Sequence, residues 1–375
     1  MLAAELRGLA GVGGVEPGRG LVAFRGDLAT VYRANLGLRT AMRVLLHVAA
    51  GECGSRAALY ELASTVTWEE FLAPGQTLVV DVAGQGEGFE STAFAALVVK
   101  DAVVDRLRTR RGQRPDVSRT DADVRIHVHL HGRRADLALD SSGEPLSHRG
   151  YRPRGGPAPL SEALAAGCLL LAGYDGSQPF VDPMAGTGTL AIEAALIATG
   201  TAPGDQRTFA CERWHFHRPE RLAAERLATR SARRPAAATI LARDLDPQAV
   251  AAIRHNAMAA GVWGSVQAGQ GDLRDLPPQP AGSLLLANPP YGERLGEVEE
   301  LSELYHALGD TFKQRLTGST AWVLTGSPDL AKHIGLRASR RLVLFNGPIE
   351  CRLLRFDIVE GPLKQANREC RLCGP

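Results

Sequence analysis

Apolar and polar residues follow two different patterns along the chain, and the change falls near residue 150. In the first part, Asp123–His131 alternates as a strand, whereas Ser91–Thr109 repeats apolar residues at the spacing of an amphipathic helix. Leu28–Val48 begins with helical spacing and ends as a strand. Shorter segments predict strands at Gly20–Phe24, Thr77–Val82 and Asp136–Asp140, and one helical turn at Trp68–Leu72. The first 140 residues therefore mix strands and helices.

After residue 160, strands and helices alternate, which is typical of a doubly wound parallel sheet. The predicted strands are Pro179–Val181, Thr239–Arg243, Val266–Ala268, Ser283–Ala287 and Ala321–Thr325. The predicted helices are Thr189–Thr199, Pro247–Ala260 and Glu297–Leu316. Two later apolar runs, Arg341–Phe345 and Cys351–Ile358, predict a closing antiparallel pair. The fold class expected here is α/β and Rossmann-like.

Between these parts, residues 141–159 contain four glycines and four prolines, which is typical of a linker. The chain is therefore divided into residues 1–140, a linker at 141–159 and residues 160–375. A length of 375 residues suits two or three domains, and 45% hydrophobic with 22% charged residues is a globular composition. The formal net charge is only +2, yet 39 of the 43 basic residues are arginine. That excess fits either codon usage or planar recognition of phosphate and bases.

Neither the amino terminus nor the cysteines predict secretion. Met1–Arg7 lacks the pattern of a signal peptide, and no window is long and apolar enough to cross a membrane. The six cysteines are scattered, so we expect reduced thiols, an unligated Cys370/Cys373 tail and a cytoplasmic location. His127, His129 and His131 share one strand face, opposite the apolar residues. Because nothing completes a ligand set, that face is expected to be solvated or to face RNA, and no metal is predicted.

The first candidate site is a loop where a predicted strand turns into a helix, Val181-Asp182-Pro183-Met184-Ala185-Gly186-Thr187-Gly188. Its two glycines let the backbone approach a ligand, and amides at the helix start point toward that ligand. Asp182, at the strand end, suits the cationic amino-acid moiety of S-adenosylmethionine better than a pyrophosphate. The residues predicted to contact the cofactor here are Asp182, Met184, Gly186, Thr187 and Gly188.

Two further acids follow the next strands. Asp244 is expected to accept hydrogen bonds from the ribose hydroxyls, with Asp246 in reserve unless it caps the helix that begins at Pro247. Asp272 follows the third strand and is predicted to accept a hydrogen bond from the adenine amino group.

An insertion, roughly Thr201–Pro235, separates the glycine loop from Asp244. It carries Trp214, His215, His217 and many arginines. Two interpretations remain open. It is either a solvated helix and loop, or an arm that meets RNA through its arginines and aromatic ring.

The most specific motif is Asn288-Pro289-Pro290-Tyr291, directly after the fourth strand. An exocyclic amino group is a poor nucleophile because its lone pair delocalises into the base. The Asn288 side-chain oxygen and the Pro289 carbonyl can accept its two N–H bonds and direct the lone pair at a methyl sulfonium. Prolines 289 and 290 hold these acceptors rigid, and Tyr291 can stack on the base. These four residues are the predicted catalytic set.

With these motifs, the chain resembles the THUMP-domain class I methyltransferases that make N2-methylguanosine in RNA. Its similarity is to the amino-terminal half of the fused bacterial 23S rRNA guanine methyltransferase, and it covers nearly the whole chain. The segments that carry the resemblance are Gly26–Asp27, Val66–Trp68, Val99–Asp105, Arg114–Val117, Leu137–Gly143, Leu146–Arg152, Asp182–Thr189, Thr201–Gly204, Asn288–Leu295 and Asn346–Pro348.

The resemblance implies a ferredoxin-like and THUMP RNA-binding region in residues 1–140, and a methyltransferase domain using S-adenosylmethionine in residues 160–375. Glu162 matches a position beside the family's cofactor pocket. The implied partner is structured RNA, namely 23S rRNA or a large-subunit assembly intermediate, with no obligate protein partner and no membrane. Residues expected on the RNA surface are Lys100, Arg106, Arg108, Arg110, Arg111 and Arg114.

Two departures from the family are expected. The amino terminus starts late, so either the true start lies upstream or the first sheet lacks a strand. The second methyltransferase of the fused relatives is absent, so its guanine-N7 activity is not carried over. The alternatives are a tRNA guanine-N2 methyltransferase, an adenine-N6 methyltransferase, and a non-catalytic RNA-binding assembly factor.

Overall fold

A computed structural model describes residues 1–153, 160–291 and 298–359. Part of the predicted linker, Gly292–Leu295 of the family motif, and the Cys370/Cys373 pair lie outside the described residues. Contacts divide the chain into two compact units. One unit, here the first unit, contains Leu2–Leu146 and Gly204–Ala228; the second unit contains Ser147–Pro203 and the chain from Thr229 onward. Both units are therefore assembled from two separate segments of sequence.

The helices and strands are numbered in chain order. The α-helices are α1 Leu2–Arg7, α2 Leu28–Gly37, α3 Arg56–Thr65, α4 Thr92–Arg111, α5 Glu162–Leu171, α6 Thr189–Ala198, α7 Pro219–Ser231, α8 Pro247–Ala259 and α9 Val298–Arg315. The strands are β1 Gly13–Pro17, β2 Val22–Arg25, β3 Leu45–Glu52, β4 Thr77–Gly86, β5 Asp116–Val117, β6 Val124–Gly132, β7 Arg134–Asp140, β8 Phe180–Asp182, β9 Ile240–Asp244, β10 Gln267–Gln270, β11 Leu284–Ala287, β12 Ser319–Thr325, β13 Arg340–Asn346 and β14 Ile349–Ile358. No helix among the described residues has both the length and the apolar character needed to cross a membrane.

The first unit contains a two-stranded sheet, β1-β2, and a five-stranded sheet in the order β3-β7-β6-β4-β5. Strand β6 confirms the strand predicted from the alternation of residues 123–131, because its apolar residues are buried on one face. His127, His129 and His131 lie on the other face, as predicted, and burial lowers the pKa of His127. Among the described residues, no three potential ligands form a metal-binding cluster. Strand β1 and helix α3 had not been predicted.

In the insertion, the structure corrects the role predicted for Trp214, whereas α7 is exposed along most of its length, as the interpretation of a solvated helix expects. Residues 204–228 group with the first unit, and Trp214, only 2% exposed, belongs to that unit's hydrophobic core. Its ring stacks on Phe216 with 5.0 Å between ring centroids. Phe209 and Cys211 are buried in the same core. Trp214 is therefore a packing residue, and it is not available to stack on a base.

We expect Trp214→Ala to destabilise the protein by about 3–5 kcal/mol, since truncating a buried Trp removes apolar contact and leaves a cavity. Urea unfolding, monitored by circular dichroism, measures this change in the free energy of unfolding. The matched control is Arg221→Ala on the exposed side of α7, which should change stability by less than ~0.5 kcal/mol. Equal, small effects from both substitutions would contradict the buried position of Trp214.

Several of the basic residues predicted to face RNA are engaged within the first unit. The Arg106 guanidinium makes two hydrogen bonds to Glu69, Nε to Oε2 at 2.9 Å and Nη2 to Oε1 at 2.8 Å, which lower the pKa of that carboxyl to about 2. Arg111 donates to the backbone carbonyls of Leu72 and Glu69. The prediction is corrected for these two arginines, which tie α4 to the turn after α3. Arg110 and Arg114 are exposed.

The second unit contains a seven-stranded sheet in the order β10-β9-β8-β11-β12-β14-β13. The first five strands in that order are parallel, and β14 runs antiparallel to both β12 and β13. Every strand predicted after residue 160 is present, with ends that differ by one or two residues, and the closing antiparallel pair is confirmed. The strand order reverses between β8 and β11, which is where open α/β sheets bind ligands.

Candidate active site

Four polar residues lie along the carboxyl edge of the parallel sheet. Strand β8 pairs with β9 and with β11, and β10 pairs with β9, all in parallel. Because these strands end side by side, the residues at their carboxyl ends lie along one edge. The residues that end or follow the four strands are Asp182, Asp244, Asp272 and Asn288. The structure thus brings together side chains that the sequence spreads over more than 100 residues.

The loop after β8 is a glycine turn with open space on one side. Gly186 and Gly188 have positive φ values of 53° and 87°, which favour glycine. A Cβ on Gly188 would approach the Ile253 side chain to 3.1 Å, whereas a Cβ on Gly186 would meet nothing within 4 Å. Gly188 therefore permits close packing of α8, and Gly186 leaves its backbone accessible. Met184 is half-buried and Thr187 is exposed in the same loop.

Asn256 supports this loop and was missed by sequence reasoning. Its side-chain amide donates a 2.9 Å hydrogen bond to the backbone carbonyl of Thr187. The residue is 3% exposed, on the inner face of α8. A polar residue among the apolar positions of α8 was the available signal.

Asp244 and Asp246 have different roles in the structure. The Asp244 carboxylate accepts from the Gly186 amide at 2.8 Å and from the Asp246 amide at 3.0 Å. Asp246 caps α8 by accepting from the Gln248 amide at 2.8 Å. The alternative that Asp246 is a helix cap is confirmed, and Asp244 is the acid that lies against the glycine loop.

Asp182 is a buried acid with little to stabilise its charge. It is 1% exposed, and its nearest donor is the Met184 amide at 3.3 Å. Burial, with a smaller contribution from the charge of Asp244, raises the pKa of Asp182 to about 8. At pH 7 this carboxyl is therefore mostly protonated unless a cation lies beside it.

Asp272 is more exposed and already has partners. It caps the short turn Leu273–Asp275, accepting from the Arg274 amide at 2.8 Å, and it pairs with the Arg274 guanidinium at 2.8 Å. Its two oxygens therefore both contact Arg274, and its predicted contact with adenine stays a prediction.

Glu162 begins α5 and forms an ion pair with Arg152. The distances are 3.0 Å from Nε to Oε1 and 2.8 Å from Nη2 to Oε2. Arg152 also donates to the Thr189 hydroxyl at 3.1 Å, which links Glu162 to the start of α6. Burial raises the pKa of Glu162, and the charge of Arg152 opposes that shift. The sequence indicates Arg152 only as the last residue of the Leu146–Arg152 segment, and its ion pair depends on the fold.

A second, fully buried ion pair lies in the same unit. Arg149 and Glu193 have side chains 2% and 0% exposed, with 3.4 Å between Nε and Oε1. The Tyr151 hydroxyl donates to the same Glu193 oxygen at 3.3 Å. Removing one partner of such a pair leaves a buried charge, so this pair holds the segment before α5 against α6.

Asn288 presents an unpaired acceptor. Its Oδ1 atom is buried and has no hydrogen-bond partner. The residue follows β11, Pro289 is buried behind it, and Pro290 is exposed. Since buried polar atoms are nearly always paired, an orphaned acceptor at the ligand-binding edge points to a donor supplied from outside the chain.

Tyr291 is half-buried beside the β13–β14 hairpin. Its hydroxyl accepts from the Asn346 side-chain amide at 3.5 Å, and burial raises its pKa. The ring packs against both apolar layers that flank the sheet. The edge therefore offers acids and open backbone for a cationic ligand, and an acceptor and a ring for a planar amine.

Comparison with known proteins matches three segments of the chain to described domain families. Residues 149–355 match the RMKL-like, methyltransferase domain. Residues 55–140 match the THUMP domain, and residues 1–45 match the RlmL ferredoxin-like domain. The predicted fold class is thereby confirmed.

Curated relatives include the Ribosomal RNA large subunit methyltransferase K/L of Syntrophotalea carbinolica, 43% identical over 96% of this chain and 52% of its own length. The chain thus spans about half the length of the K/L proteins it matches. A protein of similar length, the Putative RNA methyltransferase slr0064 of Synechocystis sp., is 36% identical over 92% of this chain and 90% of its own.

Two solved structures are also similar. SMU.472, a putative methyltransferase complexed with SAH, has a TM-score of 0.86 and 28% identity, covering 96% of this chain and 95% of its own. A predicted N6-adenine-specific DNA methylase from Listeria monocytogenes has the same TM-score and identity, with coverage of 96% and 93%.

Proposed function

Because the chain belongs to the RMKL-like methyltransferase family, we propose that it transfers a methyl group from S-adenosylmethionine to the exocyclic N2 of a guanine in 23S rRNA. S-adenosylmethionine is its methyl donor, since the similar SMU.472 structure holds S-adenosylhomocysteine, the product left after methyl transfer. The observation that carries transfer to an exocyclic amine is the buried, unpaired Oδ1 of Asn288, whereas the guanine and the 23S rRNA are proposed from the family relatives.

The residues at the sheet edge fit this cofactor. Asp182, buried and without a cation, would pair with the amino group of the methionine moiety. The open backbone at Gly186 leaves room for the ligand, and Asp244, held by the Gly186 amide, would accept from the ribose hydroxyls. The remaining residues proposed to line the cofactor are Glu162, Met184, Thr187, Gly188 and Asp272. When bound, the cofactor supplies an electrophilic methyl group.

The chain's own residues would then hold the accepting amine. Asn288 Oδ1 and the Pro289 carbonyl accept its N–H bonds, so the nitrogen lone pair turns out of the plane of the base. Pro289 and Pro290 keep the acceptors in place, which reduces the reorganisation needed in the transition state. Tyr291 fixes the plane of the base by stacking. No strong base is needed, because the nitrogen becomes acidic as the methyl transfers.

An RNA substrate is proposed from the first unit and from the relatives. The THUMP match supports RNA as the partner, and the K/L proteins are named as large-subunit rRNA methyltransferases. We assign this chain to the amino-terminal, guanine-N2 half of such proteins, acting on rRNA or a large-subunit assembly intermediate. The activity would take place in the cytoplasm, where bacterial rRNA is made.

Adenine N6 is the second candidate acceptor. Asn288 Oδ1 can accept from any exocyclic amine, and the similar Listeria structure is described as a predicted N6-adenine-specific DNA methylase. The THUMP match favours RNA over DNA.

Mass mapping of modified nucleosides in rRNA and tRNA from a strain lacking the gene tests the proposal. The expected result is loss of one N2-methylguanosine from 23S rRNA, restored by the wild-type gene. Loss of that nucleoside from a tRNA alone would reassign the substrate. Loss of N6-methyladenosine would reassign the base, and unchanged RNA would refute the proposal.

Asp244→Ala is expected to weaken binding of S-adenosylhomocysteine by about 10- to 100-fold, since it removes the proposed ribose acceptor and the partner of the Gly186 amide. Isothermal titration calorimetry measures the affinity. Asp246→Ala, the matched acid that caps α8, should cost about 1 kcal/mol of stability and change affinity by only a few fold. If both variants lose affinity equally, the ribose role of Asp244 is refuted.

A further inference from the structure

We propose that Gly326 is a positioning residue for Tyr291, a role that rests on the proposed stacking of Tyr291 on the acceptor base. Gly326 directly follows β12 at the carboxyl edge of the sheet. Its φ value is not positive, so its backbone conformation is open to other residues. The reason for glycine at this position must therefore be the space that a side chain would fill.

That space is occupied by the Tyr291 ring. A Cβ at position 326 would lie 2.8 Å from Cδ2 and 2.9 Å from Cε2 of Tyr291, and 3.2 Å from Cγ2 of Ile349. Non-bonded carbons prefer separations of about 3.5–4.0 Å, so even one methyl group cannot be accommodated without movement. Ile349 begins β14, the strand that pairs with β12.

The ring is the part that would have to move. The two prolines before Tyr291 restrict its backbone, so displacement would occur by rotation about the side-chain bonds. At its other end, the ring is held by the Asn346 amide at 3.5 Å from Oη. A displacement of about 1 Å in a substrate-positioning group can cost ~100-fold in rate. Gly326 and Asn346 thus set the position of the ring from two sides.

The first test compares Gly326→Ala with Gly264→Ala in the full chain. Gly264 also lacks a positive φ, and a Cβ there would meet nothing within 4 Å. Gly326→Ala should lower kcat/KM for RNA methylation by about 10- to 100-fold and keep the Kd for S-adenosylhomocysteine within about twofold. Gly264→Ala should change neither. A change of less than about twofold in kcat/KM for Gly326→Ala overturns the proposal.

A double-mutant cycle with Tyr291→Ala separates positioning from a general structural effect. In the Tyr291→Ala background there is no ring to displace, so Gly326→Ala should cause no further loss of kcat/KM. If the two losses instead multiply, Gly326 acts independently of Tyr291 and the inference is wrong.

A spectroscopic measurement tests the position of the Tyr291 ring without RNA methylation, so its outcome does not depend on the proposed function. In protein labelled with ¹³C at the tyrosine rings, the Tyr291 signal is assigned by its absence in Tyr291→Phe. Gly326→Ala should shift that signal and Gly264→Ala should not. An unshifted signal overturns the positioning role whatever the substrate is, whereas failure to methylate rRNA refutes only the proposed function.

Discussion

Asn288→Ala is expected to lower kcat for methyl transfer by about 10²- to 10³-fold, with the Kd for S-adenosylhomocysteine unchanged within about twofold. The substitution removes a preorganised hydrogen-bonding group, and losses of this size follow when such a group acts mainly in the transition state. The buried Oδ1 of Asn288 has no partner in the protein, so its acceptor capacity is free for substrate. Single-turnover kinetics with saturating cofactor measure the rate of the chemical step.

The same substitution should leave stability unchanged or raise it. A buried acceptor without a partner is a cost to the folded state, and alanine removes that cost. Gln267→Ala, which truncates an exposed amide on β10, is the control and should change neither rate nor stability. If Asn288→Ala instead abolished cofactor binding or unfolded the protein, Asn288 would be a structural residue.

Asp182→Asn is expected to stabilise the protein while weakening cofactor binding by at least about 100-fold. Burial raises the pKa of Asp182 to about 8, from an ordinary value of 3.8. Between those pH values the unfolded chain has lost the proton that the folded state keeps, so stability falls as pH rises. Asparagine cannot ionise. The free energy of unfolding of the Asp182→Asn variant should therefore exceed that of the wild type by about 1–3 kcal/mol at pH 8, and by less at pH 5. Urea unfolding at the two pH values measures the difference.

The raised pKa also predicts that cofactor binding releases a proton from Asp182. The methionine amino group would favour the carboxylate, so the Asp182 pKa should fall in the complex. Calorimetry at pH 7 in buffers with different ionisation enthalpies should show release of up to one proton, which Asp182→Asn abolishes. Wild-type binding without proton release would refute the pairing.

The strand ends could be predicted from sequence because buried parallel strands are short apolar runs, and the polar residue that follows each run marks its carboxyl end. The same pattern predicts Asp182, Asp244, Asp272 and Asn288 at or just after the ends of their strands. It favours Asp244 over Asp246 as the ribose acceptor and keeps Asp246 in reserve. Two hydrogen bonds distinguish the acids in the structure, from the Gly186 amide to Asp244 and from the Gln248 amide to Asp246.

Supporting contacts could not be predicted, because they depend on which distant segments pack together. Asn256 reaches Thr187 from another helix, and Gly326 is explained only by the ring of Tyr291 against it. For Trp214, in contrast, one of the two interpretations of the sequence is a contact with RNA, which the buried position of the ring rules out. An aromatic residue among arginines fits both an RNA contact and a core position, and sequence spacing does not say which core receives it.

The grouping of residues 204–228 with residues 2–146 has a consequence for synthesis on the ribosome. Domains generally fold as units while the chain is still emerging. Here the first unit stays incomplete until Phe209 and Trp214 leave the tunnel, and β8 and α6, which precede them in the chain, leave it first. The nascent chain must therefore carry an incomplete first unit while the first strand and helix of the second unit's sheet are being made. Ribosome-bound chains that end before residue 204 should expose the apolar surface that the insertion later covers, and they are the natural clients for a chaperone at the tunnel exit.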